Sequence, residues 1–431
     1  MSAAGRNAVS PGSTVRWWQV LSWQMYDFAD TIYSMNVNSL YFGLFLMAVF
    51  GKDSEDFGWA LVVANLVVAG ISPLLGAMSD ASQRRLPFLR FFAVLTAITT
   101  AMIGFSSSYT WAVFWFVISF IGYNTAANFY QALLPGLSNE RNVSRVSGIG
   151  VALGYVGSIF GILAARAVIA GESQYYLAFP LSAVLFFLIA LPCLTVVPDF
   201  APATRKVKFD IVAAYRRVAD TLTHARQYPG LFRFLVADFI YENAIQTVIG
   251  FMAVYAKIVV GFGEGDLQNF LIFSTVFAVI MGFVFGPVVD KWGPKPSVLI
   301  TLVVWLITLP LVTFAKTPSQ LLVAGPLAGI GLAMVWTSSR TYLIALAPVQ
   351  KSGEFFGLYA LSGKSAGVLG LLVWTLTLRY LKGPVGEIQA LKTAVWVMWG
   401  FIVIGILMVL TLPHVRPTKA NMLDRSTMVR E

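Results

Sequence analysis

Charged side chains are scarce in this chain, because acidic and basic residues together make up only 12% of its 431 positions. A single cysteine, Cys193, cannot form an internal disulfide. The two histidines, His224 and His414, both fall outside the apolar stretches, so neither is available inside a membrane for a metal site or a proton relay. The sequence Gly363-Lys364-Ser365 lacks the earlier glycine of a phosphate-binding loop, since position 358 is a leucine. These absences exclude a disulfide-stabilised domain, a histidine-based metal centre and an ATP-driven pump.

Apolar stretches long enough to cross a bilayer dominate the chain instead. Hydrophobic residues make up 58% of the sequence and the mean hydropathy is +0.75, whereas soluble domains are roughly 45–50% apolar. A stretch of about 18–25 apolar residues spans the hydrocarbon core. We therefore predict an all-α integral membrane protein with twelve transmembrane helices, at residues 24–49, 57–79, 88–105, 109–131, 146–168, 176–196, 231–257, 268–289, 297–315, 319–343, 355–378 and 392–412. The first of these is too long for a signal peptide, and we expect no cleavage there.

The formal net charge of +10 is distributed by loop. With a cytoplasmic N-terminus, basic residues such as Arg205 and Lys351 lie in the inside loops, whereas acids such as Asp53 lie outside. One outer loop is an exception, with Arg379 and Lys382. This is the positive-inside pattern. It predicts that both termini are cytoplasmic, and it explains the positive charge without a nucleic-acid partner.

The sequence repeats itself with a shift of about 210 residues. Asp27 and Asp238 are 211 positions apart, and Asp80 and Asp290 are 210 apart. We therefore predict two pseudo-symmetric six-helix halves, 1–196 and 231–431, the second including a cytoplasmic tail. The cytoplasmic loop 197–230 joins them, and its apolar residues recur at helical spacing, which predicts an amphipathic helix on the membrane surface. That helix serves either as a tether or as a regulatory, partner-binding element; its apolar positions are Phe209, Val212, Tyr215, Ala219 and Leu222.

Two loops, after the second and the eighth span, share a pattern of glycine, aspartate and basic residues. They read Gly76-Ala-Met-Ser-Asp-Ala-Ser-Gln-Arg-Arg85 and Gly286-Pro-Val-Val-Asp-Lys-Trp-Gly-Pro-Lys295. Both resemble the signature loop of the major facilitator superfamily. The resemblance implies a charge network that holds the cytoplasmic side closed, and ordinary positive-inside anchoring is the alternative. The candidate gate residues are Asp80, Arg84, Arg85, Asp290, Lys291, Lys295 and, on the tenth span, Arg340.

Three further stretches narrow the resemblance. They are Trp23-Gln-Met-Tyr-Asp-Phe-Ala-Asp, Phe129-Tyr-Gln-Ala-Leu-Leu-Pro and Glu354-Phe-Phe-Gly-Leu-Tyr-Ala-Leu-Ser-Gly-Lys-Ser-Ala-Gly. Together they resemble the vacuole-effluxer-like, autophagy-related branch of the superfamily, which has bacterial members. The namesake of that branch is implicated in amino-acid efflux from yeast vacuoles. The resemblance therefore implies an amino-acid transporter, which we place in a bacterial inner membrane.

Four acids in the first and seventh spans are candidates for proton or ion coupling. Asp27 and Asp30 share one helix face, and Asp238 and Glu242 lie one turn apart. Placing a carboxylate against lipid raises the free energy of membrane insertion by at least ~2.5 kcal/mol, so these helix faces must contact protein or water. Burial disfavours the charged form of an acid, which lets it alternate between protonated and charged forms as a cavity opens. Structural pairing with buried cations is the alternative.

Lys364 lies about ten residues into the eleventh span, near the middle of the membrane. A buried lysine needs an anion, either an acid such as Asp30 or Glu242 or the carboxylate of a substrate. Other polar or aromatic side chains are candidates for binding the solute, although such groups also hold helices together at roughly 0.6 kcal/mol each. These candidates are Asn124, Asn128, Gln131, Tyr155, Gln246 and Trp336.

The sequence as a whole predicts a secondary active transporter, not an enzyme, whose two halves rock around a midplane cavity. We expect a small polar substrate. An amino acid or related zwitterion is favoured, because Lys364 can bind its carboxylate while the acids opposite bind its positive charge. We further expect coupling to protons or another cation, a monomer in the lipid bilayer, and no cofactor or metal. Two alternatives remain open: a cation-coupled sugar symporter, and a non-transporting membrane receptor or assembly factor.

Overall fold

A computed structural model describes residues 16–82, 85–131, 133–137, 143–199, 226–346 and 352–415, together with positions 212, 216, 219, 220 and 223. Long helices lie at all twelve predicted spans, which confirms the predicted fold class. Eleven of them are long and apolar enough to cross a membrane, as judged over the described residues alone. The other, α11, is 34 residues long. The helices are α1 (Trp17–Phe50), α2 (Ser54–Ser82), α3 (Leu86–Gly104), α4 (Tyr109–Gln131), α5 (Val143–Val168), α6 (Ala178–Val196), α7 (Pro229–Tyr255), α8 (Glu264–Trp292), α9 (Pro294–Phe314), α10 (Pro318–Leu346), α11 (Ser352–Val385) and α12 (Glu387–Leu410).

The chain divides into two compact units, Met1–Tyr215 and Arg216–Glu431. In the first unit, α1 packs on α5 and α6, α3 packs on α4 and α6, and α2 packs on α4. The second unit repeats this arrangement, because α7 packs on α11 and α12, α9 packs on α10 and α12, and α8 packs on α10. The same set of neighbours in both units confirms the duplication that the repeated aspartates predicted.

Two glycines show the same duplication at single-residue level. Gly51 ends α1 and Gly261 follows α7, and their φ angles are +62° and +75°. A side chain would be strained in this left-handed conformation, which glycine adopts freely. The two positions are 210 residues apart, the shift seen in the sequence.

Each of these two helices is also associated with a π-helical turn. Ser34–Tyr41 forms one inside α1, and Ala256–Val260 forms another directly after α7. A π turn inserts an extra residue and changes the direction in which the following side chains point, and such turns are frequent at functional sites. All four candidate coupling acids precede the π turn of their own helix. Their mutual spacing therefore follows the regular α-helical repeat.

Glycines allow close contacts between helices in each unit. On α5, Gly157 lies against the backbone carbonyl of Phe28 on α1, with no room for a β-carbon. On α11, an ideal β-carbon at Gly370 would lie 2.6 Å from the carbonyl oxygen of Asn243 on α7. Small residues at such contacts let helix backbones approach closely.

The segment 197–230 is predicted to contain an amphipathic helix. Val212 is helical and 65% exposed, but Phe209, Tyr215 and Leu222, three of the five apolar positions of the predicted amphipathic helix, lie outside the described residues. The boundaries 1–196, 197–230 and 231–431 and the role of the loop remain predictions.

Candidate functional site

Asp30 on α1 is held by an aromatic and hydroxyl network in the first unit. The hydroxyl of Tyr123 on α4 donates a 3.0 Å hydrogen bond to Oδ2 of Asp30, which is partly buried. The ring of Tyr33 stacks on that of Tyr123 at a centroid distance of 4.3 Å. Ser119 donates to the Tyr33 hydroxyl at 3.0 Å and lies 2.7 Å from the Thr100 hydroxyl. These contacts fix the Asp30 carboxyl group between α1 and α4.

Asp27 lies one turn earlier on α1 and faces α5. Its carboxyl oxygen Oδ2 occupies the space that a β-carbon at Gly150 would need. Next to it, the Thr31 hydroxyl donates to the carbonyl oxygen of Gly154 across the same contact. The Tyr130 ring also lies beside this acid, sandwiched between Trp23 and Tyr26 at centroid distances of 4.6 Å each. Asp27 therefore sits in a tight interface between α1 and α5.

Asp238 on α7 is fully buried in the second unit. Its Oδ1 atom accepts a 2.6 Å hydrogen bond from the hydroxyl of Tyr241 on the same helix. The Tyr241 hydroxyl also lies 2.7 Å from the hydroxyl of Ser339 on α10. Ser339 is also within hydrogen-bonding reach of Asp238, and either hydroxyl can be the donor in the bond between Tyr241 and Ser339. The three buried side chains form a hydrogen-bonded chain between α7 and α10.

Glu242 lies one turn after Asp238 and is only partly buried. Its carboxyl group lies within hydrogen-bonding reach of Asp238 on one side and of Gln246 on the other. The positive charge of Arg340 on α10 also acts on it. The Arg340 guanidinium is exposed and lies 5.8 Å from the ring centre of Trp336, which is 40% exposed. Four candidates from the sequence, Glu242, Gln246, Trp336 and Arg340, therefore gather at one place on α7 and α10.

The polar candidates on α4 and α5 all lie in the first unit. The Asn124 amide donates to the carbonyl oxygen of Phe120 on its own helix at 2.9 Å. Asn128 and Tyr155 are partly buried, and Gln131 is exposed at the end of α4. Their part in substrate binding remains a prediction.

Two of the candidate gate residues, Arg85 and Lys295, make contacts at helix ends. The backbone amide of Arg85 donates to Oδ1 of Asp199 at 3.1 Å. Lys295 donates to the carbonyl oxygens of Leu410 and Leu412 at 2.9 and 2.5 Å, and Lys291 is exposed. Arg84 lies outside the described residues, as do the side chains of Asp80, Asp290 and Lys364.

Sequence reasoning missed the residues that orient the acids. Tyr123, Tyr241 and Ser339 donate to or relay hydrogen bonds to Asp30 and Asp238. Tyr241 offered a signal, since it lies three residues after Asp238 and helical residues at that spacing are neighbours. Tyr123 and Ser339 offered none, because their contacts depend on how two helices are rotated against each other.

No metal centre emerges from the part of the chain that the structure describes, where no three His, Cys, Asp or Glu side chains are grouped to hold an ion. The chemistry of the site therefore consists of buried carboxyl groups with hydroxyl donors, and of an exposed guanidinium beside an aromatic ring.

Comparison with known proteins supports a transporter. The chain is 26% identical to the uncharacterized MFS-type transporter YxiO of Bacillus subtilis over 419 residues, which cover 93% of this chain and 96% of the relative. It is 22% identical to autophagy-related protein 22 of Kluyveromyces lactis over 362 residues, covering 74% of this chain and 73% of that protein. The chain is therefore a membrane transporter of the MFS type, as the sequence predicted.

Solved structures agree on the fold. The nucleoside transporter NupG superposes with a TM-score of 0.72 at 13% identity, over 91% of this chain and 98% of NupG. A bacterial homologue of the human lysosomal transporter Spinster, in an inward-facing and unoccupied conformation, gives a TM-score of 0.67 at 13% identity, over 93% and 97% of the two chains. The family described as vacuole effluxer Atg22 like matches residues 60–420, and this chain belongs to that family.

Proposed function

We propose that this transporter works by alternating access and couples the movement of a small polar solute to protons. The observation that carries the proposal is the pair of carboxyl groups on α7, Asp238 and Glu242, in contact with each other inside a helix of high apolar content. Acids inside a membrane are costly, and they mark ion or proton pathways by default. An acid that is buried in one state and hydrated in another exchanges its proton between the two states.

An amino acid or related zwitterion is the proposed substrate. The exposed Arg340 guanidinium, stacked over Trp336, is able to bind a carboxylate through paired hydrogen bonds. The acids named in the sequence analysis remain the proposed counter-charges for an ammonium group, and of these Glu242 lies near Arg340 in the same unit. Lys364 on α11 remains a second proposed contact for the carboxylate.

The proposed topology follows the distribution of charge along the sequence. We place both termini in the cytoplasm of a bacterial cell, with the protein a monomer in the inner membrane. The two six-helix units, joined by the segment 197–230, are proposed to rock during the transport cycle.

A transport assay in proteoliposomes tests this function. We would first measure exchange of radiolabelled amino acids without any gradient, and then measure accumulation driven by a pH gradient, with nucleosides and sugars as parallel panels. The proposal expects one amino acid to be exchanged, and to accumulate only when a pH gradient is present. Accumulation that follows a sodium gradient but not a pH gradient would contradict proton coupling. A sugar that alone is transported favours a sugar symporter, and the absence of both transport and ligand-induced thermal stabilisation favours a receptor.

A further inference from the structure

The two acids of α7 are close enough to behave as one unit. We propose that Asp238 and Glu242 hold a single proton between them at neutral pH, that Asp238 keeps this proton, and that Glu242 is the member that takes up and releases a second one. We call these two side chains the carboxyl pair. This inference rests on the proposed proton coupling, and it assigns different roles to residues that the sequence treated alike.

Each acid of the carboxyl pair has one buried oxygen atom that lacks a hydrogen-bond donor within the described part of the chain. Oδ2 of Asp238 and Oε2 of Glu242 are both buried, and neither meets a hydrogen-bond donor among the described residues. The two groups nevertheless lie within hydrogen-bonding reach of each other. Two ionised carboxylates are acceptors only, so Oδ2 and Oε2 would then be buried beside each other's charge with no donor for either atom. One added proton supplies the donor and removes the repulsion, as in other carboxyl pairs that cannot ionise together.

Asp238 is the member of the carboxyl pair that retains its proton. This side chain is fully buried, as are Tyr241 and, to within 1% exposure, Ser339. Its Oδ1 atom accepts the short bond from Tyr241, which Ser339 holds in place. A hydroxyl network of this kind satisfies a neutral acid, whereas a charge there would have no cation to balance it within the described part of the second unit's core. The retained proton therefore lies on the Oδ2 side, toward Glu242.

Glu242 is the member of the carboxyl pair that exchanges its proton. It is the more exposed member of the carboxyl pair, so water reaches it first. Arg340 on α10 acts on it, and a neighbouring positive charge favours an ionised carboxyl group. The other two helices that pack on α7 place uncharged residues at two described contacts, since Gly405 of α12 lies against Tyr241 and Gly370 of α11 lies against Asn243. The remaining basic residue of α11 at this depth is Lys364, whose side chain lies outside the described part.

Infrared spectroscopy of the full chain in lipid nanodiscs tests which acid carries which proton. Only the pH is varied, and no other ligand is added. The carbonyl stretch of a protonated carboxyl group is distinct from that of a carboxylate, so each protonated acid is visible. We expect one such band from the carboxyl pair at neutral pH and a second on acidification. Asp238→Asn should remove the first band, and Glu242→Gln should remove the second while the first remains. Asp56→Asn, on a partly exposed acid paired with Lys52, is the matched control and should change neither band.

Tyr241→Phe keeps the inference testable if Asp238→Asn fails to fold. It removes the hydrogen bond to Oδ1 but retains the acid, so the neutral-pH band should shift in frequency without losing intensity. A purely structural role for Tyr241 would leave the frequency unchanged, which would overturn the assignment of the proton to Asp238. Loss of the neutral-pH band in Glu242→Gln would reverse the two roles, and the absence of any band would mean that both acids are ionised.

Failure of the inference can be told apart from failure of the proposed function. The infrared bands do not depend on transport, so they report the carboxyl pair even if no pH gradient drives accumulation. In that case the assignment of protons within the carboxyl pair is retained, and the proposed proton coupling of transport is rejected. Conversely, a pH gradient could drive accumulation although neither substitution changes the infrared bands. Proton coupling would then be retained and assigned to other acids.

Discussion

The hydroxyl of Tyr123 on α4 donates a 3.0 Å hydrogen bond to Oδ2 of Asp30 on α1. A tyrosine also meets an acid in the second unit, but Tyr241 lies on the same helix as its partner Asp238. The duplication places Tyr241 where the first unit has Asp30, because the two positions are 211 residues apart. The two units therefore hold their acids through different contacts on a shared framework, which supports different roles for the acids of α1 and α7.

Replacing Tyr123 by phenylalanine tests the contact with Asp30. The variant keeps the ring that stacks on Tyr33 but removes the donor. We expect a stability loss of only roughly 0.6 kcal/mol, and a drop in transport of up to roughly tenfold, which corresponds to ~1.4 kcal/mol. Thermal unfolding and initial transport rates in proteoliposomes measure the two effects.

Tyr109→Phe is the matched control for this substitution. Tyr109 is the first residue of α4, and its hydroxyl donates to the backbone carbonyl oxygen of Asp56 at 3.2 Å. Its loss should lower stability by a similar amount and leave the transport rate unchanged. Equal transport rates in both variants would contradict a role of Tyr123 in orienting Asp30.

The sequence predicted the framework better than it predicted the contacts between helices. Twelve spans and a repeat of about 210 residues follow from apolar length and from paired aspartates, which are local features of the chain. The bond between Tyr241 and Ser339 joins residues 98 positions apart, so it depends on the rotation of α7 against α10. The π turn at Ser34–Tyr41 also escaped prediction, because hydropathy alone does not distinguish it from the α-helix around it.

Replacing Gly157 by alanine tests the close contact between α5 and α1. A β-carbon there would collide with the carbonyl oxygen of Phe28, which is backbone and cannot swing away. Forcing extra volume into such a contact costs about 1–3 kcal/mol, and we expect the variant to unfold at lower temperature by a corresponding amount. Gly282→Ala on α8 is the control, because no atom lies within 4 Å of its β-carbon position. Equal unfolding temperatures would mean that α1 and α5 separate without cost.

Replacing Gly261 by alanine tests the end of α7. Its φ of +75° is costly for any residue with a β-carbon, by roughly 1–2 kcal/mol. We expect lower thermal stability and faster hydrogen exchange at the adjacent π turn, Ala256–Val260. Gly383→Ala, within α11 and with open space around it, provides the comparison. An unchanged exchange rate at the π turn would show that the left-handed glycine is not needed to end this helix.

Replacing Lys295 by methionine separates anchoring from gating. Lys295 holds the end of α12 through the carbonyl oxygens of Leu410 and Leu412, where a positive charge is also favoured by the helix dipole. Anchoring alone predicts a stability loss of about 1 kcal/mol or less, with the ratio of pH-driven accumulation to simple exchange unchanged. Lys291→Met, at an exposed neighbour, removes the same charge without these bonds and should leave stability unaltered. A gate that both lysines help to close would instead be weakened in either variant, so a similar rise in uncoupled leak in both would favour the charge network over the anchor.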